Sequence, residues 1–454
     1  MARLSCRRRL ALLAAALLAG PPLAAANDAS DNSANPQAVK EVLSGKRATA
    51  NAAWWGFDAD DATGALQQAI DSGAKKVVVP NMGTDWIVKP IRLAGDQELV
   101  LEDGVVIAAM RGEFRGGGDM LFTAADISNL NIRGAGATLR MHKQDYMVGP
   151  VLKKLGWHRW YGQYEKAEWR MTLGIRGCTN VEVTGLTLED SGGDGIYVDG
   201  GSQQDHSRNI RINNVVCDNH YRQGISVISV DGLLVEECTF KNTWGTPPSS
   251  GVDIEPDSPK QKVKNIVFRN CRFEDNYGDG IEIFLSHQTA ESDDVSILFD
   301  NCHVSSRRGS GIRVTKIVDD GPKGLIEFRD CTVENTQAYG IKVQDKSAGS
   351  ARVKFVRCTL RNVAVNQQYN GLSVPIWLHP YRPNRVERFG GIDFIDCHVE
   401  DNRDRPAVAV SDNRRQLSMH DITGAIAVKN PHGVTQSLGL PLRGVTLGVI
   451  AAEP

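Results

Sequence analysis

The chain has 454 residues, with 52 Lys and Arg against 54 Asp and Glu and a formal net charge of −2 at pH 7. That balance offers no bulk positive charge for nucleic acid or another polyanion, and the length suffices for one large core or several ordinary domains. With 45 glycines and only 6% aromatic residues, the composition favours strands and turns over helices.

Arg7, Arg8 and Arg9 precede the apolar run "LALLAAALLAGPPLAAA", which ends in the small residues Ala24, Ala25 and Ala26. A basic segment, an apolar stretch and a small-residue cleavage site identify residues 1–26 as a secretory signal peptide. The run is too short and alanine-rich for a membrane anchor, and no second span of about twenty apolar residues follows. Cys6 lies ahead of the run, so it provides no lipid-attachment site. The expected mature protein has no membrane span and is periplasmic or secreted. Residues 27–50 are polar and read as a flexible leader.

In "DDATGALQQAIDSGAKKVVVP", Ala62, Ala65, Leu66, Ala69 and Ile70 recur at helical spacing and Gly73 stops the run. This predicts a short amphipathic helix. "DWIVKPIRL", "QELVLEDGVVI" and "NLNIRGAGATL" then alternate as strands. Residues 142–169 interrupt the alternation with a dense aromatic insertion holding Trp157, Trp160, Tyr161, Tyr164 and Trp169.

From about residue 178 the chain repeats at intervals of roughly thirty residues, the signature of a solenoid. One segment recurs as "GDGIYVDG", "RQGISVIS", "SGVDIEPD", "GDGIEIFL", "GSGIRVTK" and "YGIKVQDK". A second recurs as "LLVEECTF", "NIVFRNCRF", "SILFDNCHV", "LIEFRDCTV", "RVKFVRCTL" and "GIDFIDCHV". Each repeat thus holds three short strands with no helical crossover, so like strands must stack in parallel. The expected fold is all-β: a single right-handed parallel β-helix spanning residues 51–430, capped by the N-terminal helix and followed by a tail at 431–454. Cys238, Cys271, Cys302, Cys331, Cys358 and Cys397 occupy one inward position of the repeat. They read as a ladder of unpaired buried thiols rather than disulfides. Asn214, Asn270, Asn301, Asp330 and Asp396 form a turn ladder beside them.

A capping helix, "VVVP" and coils with an asparagine ladder resemble the pectate-lyase-like β-helix superfamily, which includes polygalacturonases, pectate lyases and alginate epimerases. The resemblance covers nearly all of the chain beyond the signal peptide. It implies carbohydrate chemistry without choosing a reaction. The "NTD", "GHG" and "RIK" signatures of polygalacturonases are absent. "RQGISV" is similar to a segment of alginate C5-epimerases, whose acid-proline-histidine motif is also absent.

Aligning the repeats on Gly195, Gly224, Gly251, Gly280, Gly311 and Gly340 places Ile or Val one and three residues beyond, pointing inward. Two residues beyond lies an outward column, Tyr197, Ser226, Asp253, Glu282, Arg313 and Lys342. Four beyond lies a second column, which includes Asp199 and Glu255. Stacked like charges repel, and repulsion with burial separates the pKa values of neighbouring carboxylates. Asp253, Glu255 and Glu282 are therefore the candidate catalytic set for cleaving glycosidic bonds, Asp253 and Glu282 sharing the acid and base roles with help from Glu255. Arg222, Tyr197, Asp199, Arg313, Trp157 and Trp160 are candidate contacts to a polysaccharide or oligosaccharide, the tryptophans as stacking platforms. Neither cofactor nor metal is expected for such a glycoside hydrolase. An alternative is a lyase or C5-epimerase on a uronate polymer, where Asp253, Glu255, Asp257 and Glu282 would hold Ca²⁺. A third is a non-catalytic glycan-binding β-helix. In each case a monomer is expected.

Overall fold

The computed structural model describes residues 32–147, 164–165, 167–366, 373–381, 386–410, 418–434 and 444–452. They wind into a right-handed parallel β-helix whose strands stack in an 11-stranded sheet and a 24-stranded sheet. A middle rung consists of Ile225–Val227, Val230–Glu236 and Thr239–Lys241, and the next of Val252–Ile254, Val263–Arg269 and Arg272–Asn276. The rungs pair in register, Ile225 with Val252, Val235 with Phe268 and Phe240 with Phe273. Inward positions therefore stack like on like. Phe268, Phe299, Phe328, Phe355 and Phe394 form a file of parallel rings with centroids 4.9, 5.2, 5.0 and 5.1 Å apart.

All eight cysteines in the described residues are buried and free. In the expected ladder each thiol donates to a backbone carbonyl of the preceding rung, as Cys302 Sγ does to Phe268 O at 3.5 Å and Cys331 Sγ to Phe299 O at 3.4 Å. Beside them Asn270, Asn301 and Asp330 hold left-handed φ values of 54, 52 and 53°. Asn301 Nδ2 donates to Asn270 Oδ1 at 2.8 Å, a bond that ties successive turns together.

The glycine column has a steric cause. A Cβ on Gly251 would lie 2.7 Å from Gly280 O and 2.8 Å from Asn276 Nδ2, and one on Gly280 2.3 Å from Val304 Cγ1. Only glycine lets each turn approach the next, and this fixes the register of every side chain that follows.

The capping helix is Thr63–Asp71 and buries Ala65, Leu66, Ala69 and Ile70. Both ends carry regular structure. Within the expected leader, Pro36–Leu43 is helical: Asn35 caps it, Pro36 opens it, and Ala38 and Val42 pack inward. Within the expected tail, Val445–Ala451 forms a strand that pairs in parallel with Ser418–Lys429 and covers its edge, with Leu447 buried.

Candidate active site

The 11-stranded sheet carries the outward column in the expected register. Tyr197 pairs with Ser226, Ser226 with Asp253, Asp253 with Glu282, Glu282 with Arg313 and Arg313 with Lys342. Glu255 stays on its rung, its backbone N–H donating to Val227 O at 3.2 Å. Asp257 does not stay, because the strand ends at Ile254 and Pro256 turns the chain. Asp257 is exposed, with its N–H and that of Ser258 donating to Gln261 Oε1.

These outward positions are nevertheless buried: Asp253 is 2% exposed and Glu282 4%. The Thr243–Ser249 loop rises over them and, with Tyr277 and Arg308, walls a cleft of about 520 Å³. Glu282, Glu255, Asp279 and Arg313 line this cleft, whereas Asp253 lies beneath it. The Asp253 carboxyl is held from one side only. Ser250 N–H donates to Gln223 Oε1 at 2.8 Å, which orients the amide so that Gln223 Nε2 donates to Asp253 Oδ2 at 2.9 Å. Asp253 Oδ1 is buried with no hydrogen-bond partner, which leaves an ionised carboxylate there poorly compensated.

Glu282 Oε1 lies 3.1 Å from Arg313 Nη1, and its Oε2 accepts from Ser250 Oγ at 3.3 Å. Burial raises the Glu282 pKa to about 7 against the opposing pull of Arg313, which also reaches Asp279 Oδ2 at 3.5 Å. Burial, then the charges of Glu282 and Glu255, pushes Asp253 well above the usual carboxylate range. Asp194, fully buried two rungs before Asp253, is raised by burial to about 6 although Arg222 Nη1 lies 3.3 Å from it. Arg222 also lies 3.8 Å from Glu255 and 3.8 Å from Glu168. Two guanidinium groups thus partition the carboxylates, Arg222 serving Asp194, Glu255 and Glu168, and Arg313 serving Glu282 and Asp279.

Other expected contacts fall elsewhere. Tyr197 OH donates to Asp199 Oδ2 at 3.2 Å, and Asp199 Oδ1 accepts from Gly200 N at 2.7 Å and Gln261 Nε2 at 3.2 Å. The pair satisfies itself and lines no part of the cleft. Trp157 and Trp160 lie outside the described residues. Of the insertion's described ends, Tyr146 and Tyr164 pack edge to face at 4.9 Å, with the Arg170 guanidinium 5.3 and 5.6 Å from the two rings. Tyr146 belongs to the main core of the solenoid, and Tyr164 packs against it. His220 is fully buried, bonded through Nδ1 to Ser191 Oγ at 2.8 Å, and burial lowers its pKa to about 3, so it serves the turn. Among the described residues no group of three or more His, Cys, Asp or Glu side chains is placed to hold a metal ion. The Asp253, Glu255, Asp257 and Glu282 set does not converge, since Asp257 has left the face.

Gln223, Ser250 and Glu168 belong to the site and were not singled out from sequence. Gln223 and Ser250 carry a readable signal: Asp194, Gln223, Ser250, Asp279 and Ser310 each stand directly before a column glycine. All are polar and buried in the structure. Glu168 has no such signal, because an irregular insertion delivers it.

The stacked rungs and this site define a right-handed β-helix protein. The family model for a right handed beta helix region matches residues 172–316 and 204–387. Among solved structures, the mannuronan C-5 epimerase AlgE6 A-module of Azotobacter vinelandii is 14% identical with a TM-score of 0.58, covering 89% of this chain and 100% of that one. The catalytic unit of a GH87 α-1,3-glucanase from Streptomyces thermodiastaticus strain HF3-3 is 14% identical, TM-score 0.53, covering 88% and 67%. PfbA, a surface adhesin of Streptococcus pneumoniae, is 12% identical, TM-score 0.54, covering 89% and 93%. Uncharacterized protein YclG of Bacillus subtilis (strain 168) is 31% identical over 129 residues, 26% of this chain and 22% of that protein. The chain therefore spans about a fifth of the curated relative it matches. At such identities the structural likeness is one of fold, and an epimerase, a glucanase and an adhesin share it. Among the described residues no helix is long and apolar enough to cross a membrane.

Proposed function

We propose that the protein is an exported carbohydrate-active enzyme, a glycoside hydrolase acting on a polysaccharide or oligosaccharide. Glu282 is the general acid and Glu255 the carboxylate base. The observation that carries this reading is the placement of Glu282: in the cleft wall, almost fully buried, and raised by burial to about 7. A carboxylic acid of that pKa still holds its proton near neutrality and can deliver it to a leaving oxygen. Glu255 stands on the preceding rung, two residues further along the strand, beside Arg222 at 3.8 Å. Asp253 is the buried neighbour whose proton keeps a second negative charge away from Glu282. Arg222 lies beside the Glu255 carboxylate, and Arg313, in the cleft wall, limits the rise of the Glu282 pKa. The apolar run at residues 10–26 supports export.

A polysaccharide screen scoring both new reducing ends and unsaturated uronate products tests the reading. Reducing ends without unsaturation are expected. Unsaturated products, or C5 inversion in a uronate polymer, would assign the site to a lyase or epimerase. Loss of activity in EDTA with recovery in Ca²⁺ would make the carboxylates metal ligands. Binding without turnover would leave a glycan-binding β-helix.

A further inference from the structure

Beside the cleft, the turn that closes each rung builds a second feature. A cavity of about 510 Å³ is lined by Trp244, Tyr277, Arg307, Arg308, Gln337 and Asn366. These residues come from five successive turns, following the strands Thr239–Lys241, Arg272–Asn276, His303–Ser306, Thr332–Thr336 and Thr359–Arg361. The strands pair consecutively, and the turns are stitched together by Tyr277 N to Thr243 O at 2.8 Å, Arg307 N to Asn276 O at 2.8 Å and Asn366 N to Gln337 O at 3.0 Å. The result is an axial file of two aromatics, a guanidinium pair and two side-chain amides, one turn per rung. Four rung steps extend it over roughly 19 Å.

Trp244 is 38% exposed and Tyr277 42%, in a chain whose other turn-facing apolar side chains are mostly buried. Neither ring is loose. Trp244 Nε1 donates to Asn219 Oδ1 at 3.0 Å and Lys143 Nζ lies 4.4 Å from its ring, while Tyr277 OH accepts from Arg308. Polar contacts thus hold two large rings in water, an arrangement that packing alone does not require. Tyr277 and Arg308 also line the carboxylate cleft, so the two cavities are neighbours that share a wall.

We infer that this file is a track for a linear glycan strand, which feeds or holds the polymer whose bond the cleft cleaves. The inference rests on the proposed glycosidase reading and adds that the substrate is a long unbranched chain. Aromatic rings offer stacking faces to the apolar faces of sugar rings. The amides of Gln337 and Asn366 suit hydroxyl groups, being donors and acceptors at once. A regular polymer thus meets a regular file.

The test uses the full-length protein carrying Glu282→Gln, in native affinity electrophoresis against xylan, mixed-linkage β-glucan, alginate and polygalacturonate. Retardation by at least one polymer is expected. Adding Tyr277→Ala, or Gln337→Ala with Asn366→Ala, should weaken it at least tenfold. Trp244→Ala is read only where its melting temperature matches the parent, and Tyr277→Ala stands in otherwise. In the active background the same changes should lower the ratio of kcat/KM on polymer to that on the shortest cleaved oligosaccharide at least tenfold. An unchanged ratio in a protein that cleaves glycans would overturn the track and leave the hydrolase reading standing. Track-dependent retardation without cleavage of any glycan would do the reverse. Neither binding nor cleavage, or retention by a single-stranded oligonucleotide instead, would overturn the track outright.

Discussion

Arg313 Nη1 stands 3.1 Å from Glu282 Oε1, one rung further along the same outward column. Burial alone would drive Glu282 higher, and the guanidinium, which keeps its charge at any working pH, limits the rise to about 7. Because the acid must be protonated to act, kcat/KM should fall as pH rises through about 7. Arg313→Met removes the lowering influence, so its descending limb should move to higher pH. A pH–rate profile with the limb in the same place in both proteins would assign it to another group.

The cleft reaches Glu282 and Glu255 but passes above Asp253, and this gives the three carboxylates unequal weight. Glu282→Gln should fold and lose at least about a hundredfold in kcat, the general-acid range. Asp253→Asn keeps a neutral group of the same shape opposite Gln223 Nε2 and should lose less, on the order of tenfold. An equal loss in both would mean that Asp253 opens to the substrate and the two act as one pair, the assignment suggested by their adjacency in the column.

The same burial has a signature in stability. Glu282 has a folded pKa of about 7 against an ordinary 4.5, so between those values the folded state binds more protons than the unfolded one. Its contribution is fully present below the unfolded value and is lost as pH rises through about 7. Glu282→Gln abolishes that dependence. The melting temperature of wild type minus that of the variant should thus be more positive at about pH 5 than at about pH 8.5. His142 and His220, whose pKa values burial lowers, slope the other way but are common to both proteins and cancel. A difference independent of pH would show that Glu282 is not buried as an acid.

The fold and the column were legible because both follow from a strict period. Inward Ile and Val flank each glycine, and the clash that a Cβ on Gly251 would make with Gly280 O leaves one register open. That repeat is enough to place Asp253, Glu282 and Arg313 on adjacent rungs. It is not enough to show depth. Asp253 and Glu282 occupy outward positions that ordinarily face water, yet both are buried, in contact with Gln223, Ser250 and Arg313 and beside a cleft that the Thr243–Ser249 loop walls. Asp257 was misplaced for a related reason: alternation continues in the letters past Ile254, but Pro256 ends the strand. Tyr197 and Asp199 are in register yet turn towards each other, a choice of rotamer that spacing cannot express.

The cysteine ladder offers a check on that register. Cys238, Cys271, Cys302, Cys331, Cys358 and Cys397 are buried thiols, each donating to a backbone carbonyl of the preceding rung. Iodoacetamide should therefore label almost none of them in the folded protein and all of them on denaturation without a reducing agent. Mass spectrometry that finds disulfide-linked pairs among the six would break the alignment on which every column depends.

The stereochemical outcome separates the two possible carboxylate pairs. Glu255 and Glu282 differ by one rung and by two residues along the strand. The rung spacing and the strand rise combine to roughly 8 Å between their positions. That is within the range that leaves room for a water opposite the leaving group, so hydrolysis should proceed with inversion. Asp253 and Glu282 differ by one rung only, roughly 4.8 Å, which is near the separation for a covalent intermediate and retention. Proton NMR of the first-formed anomer, recorded before mutarotation, reads the difference directly. Inversion supports Glu282 as acid with Glu255 activating the water. Retention would transfer the second role to Asp253, and the site would then have to open beneath the Thr243–Ser249 loop for the substrate to reach it.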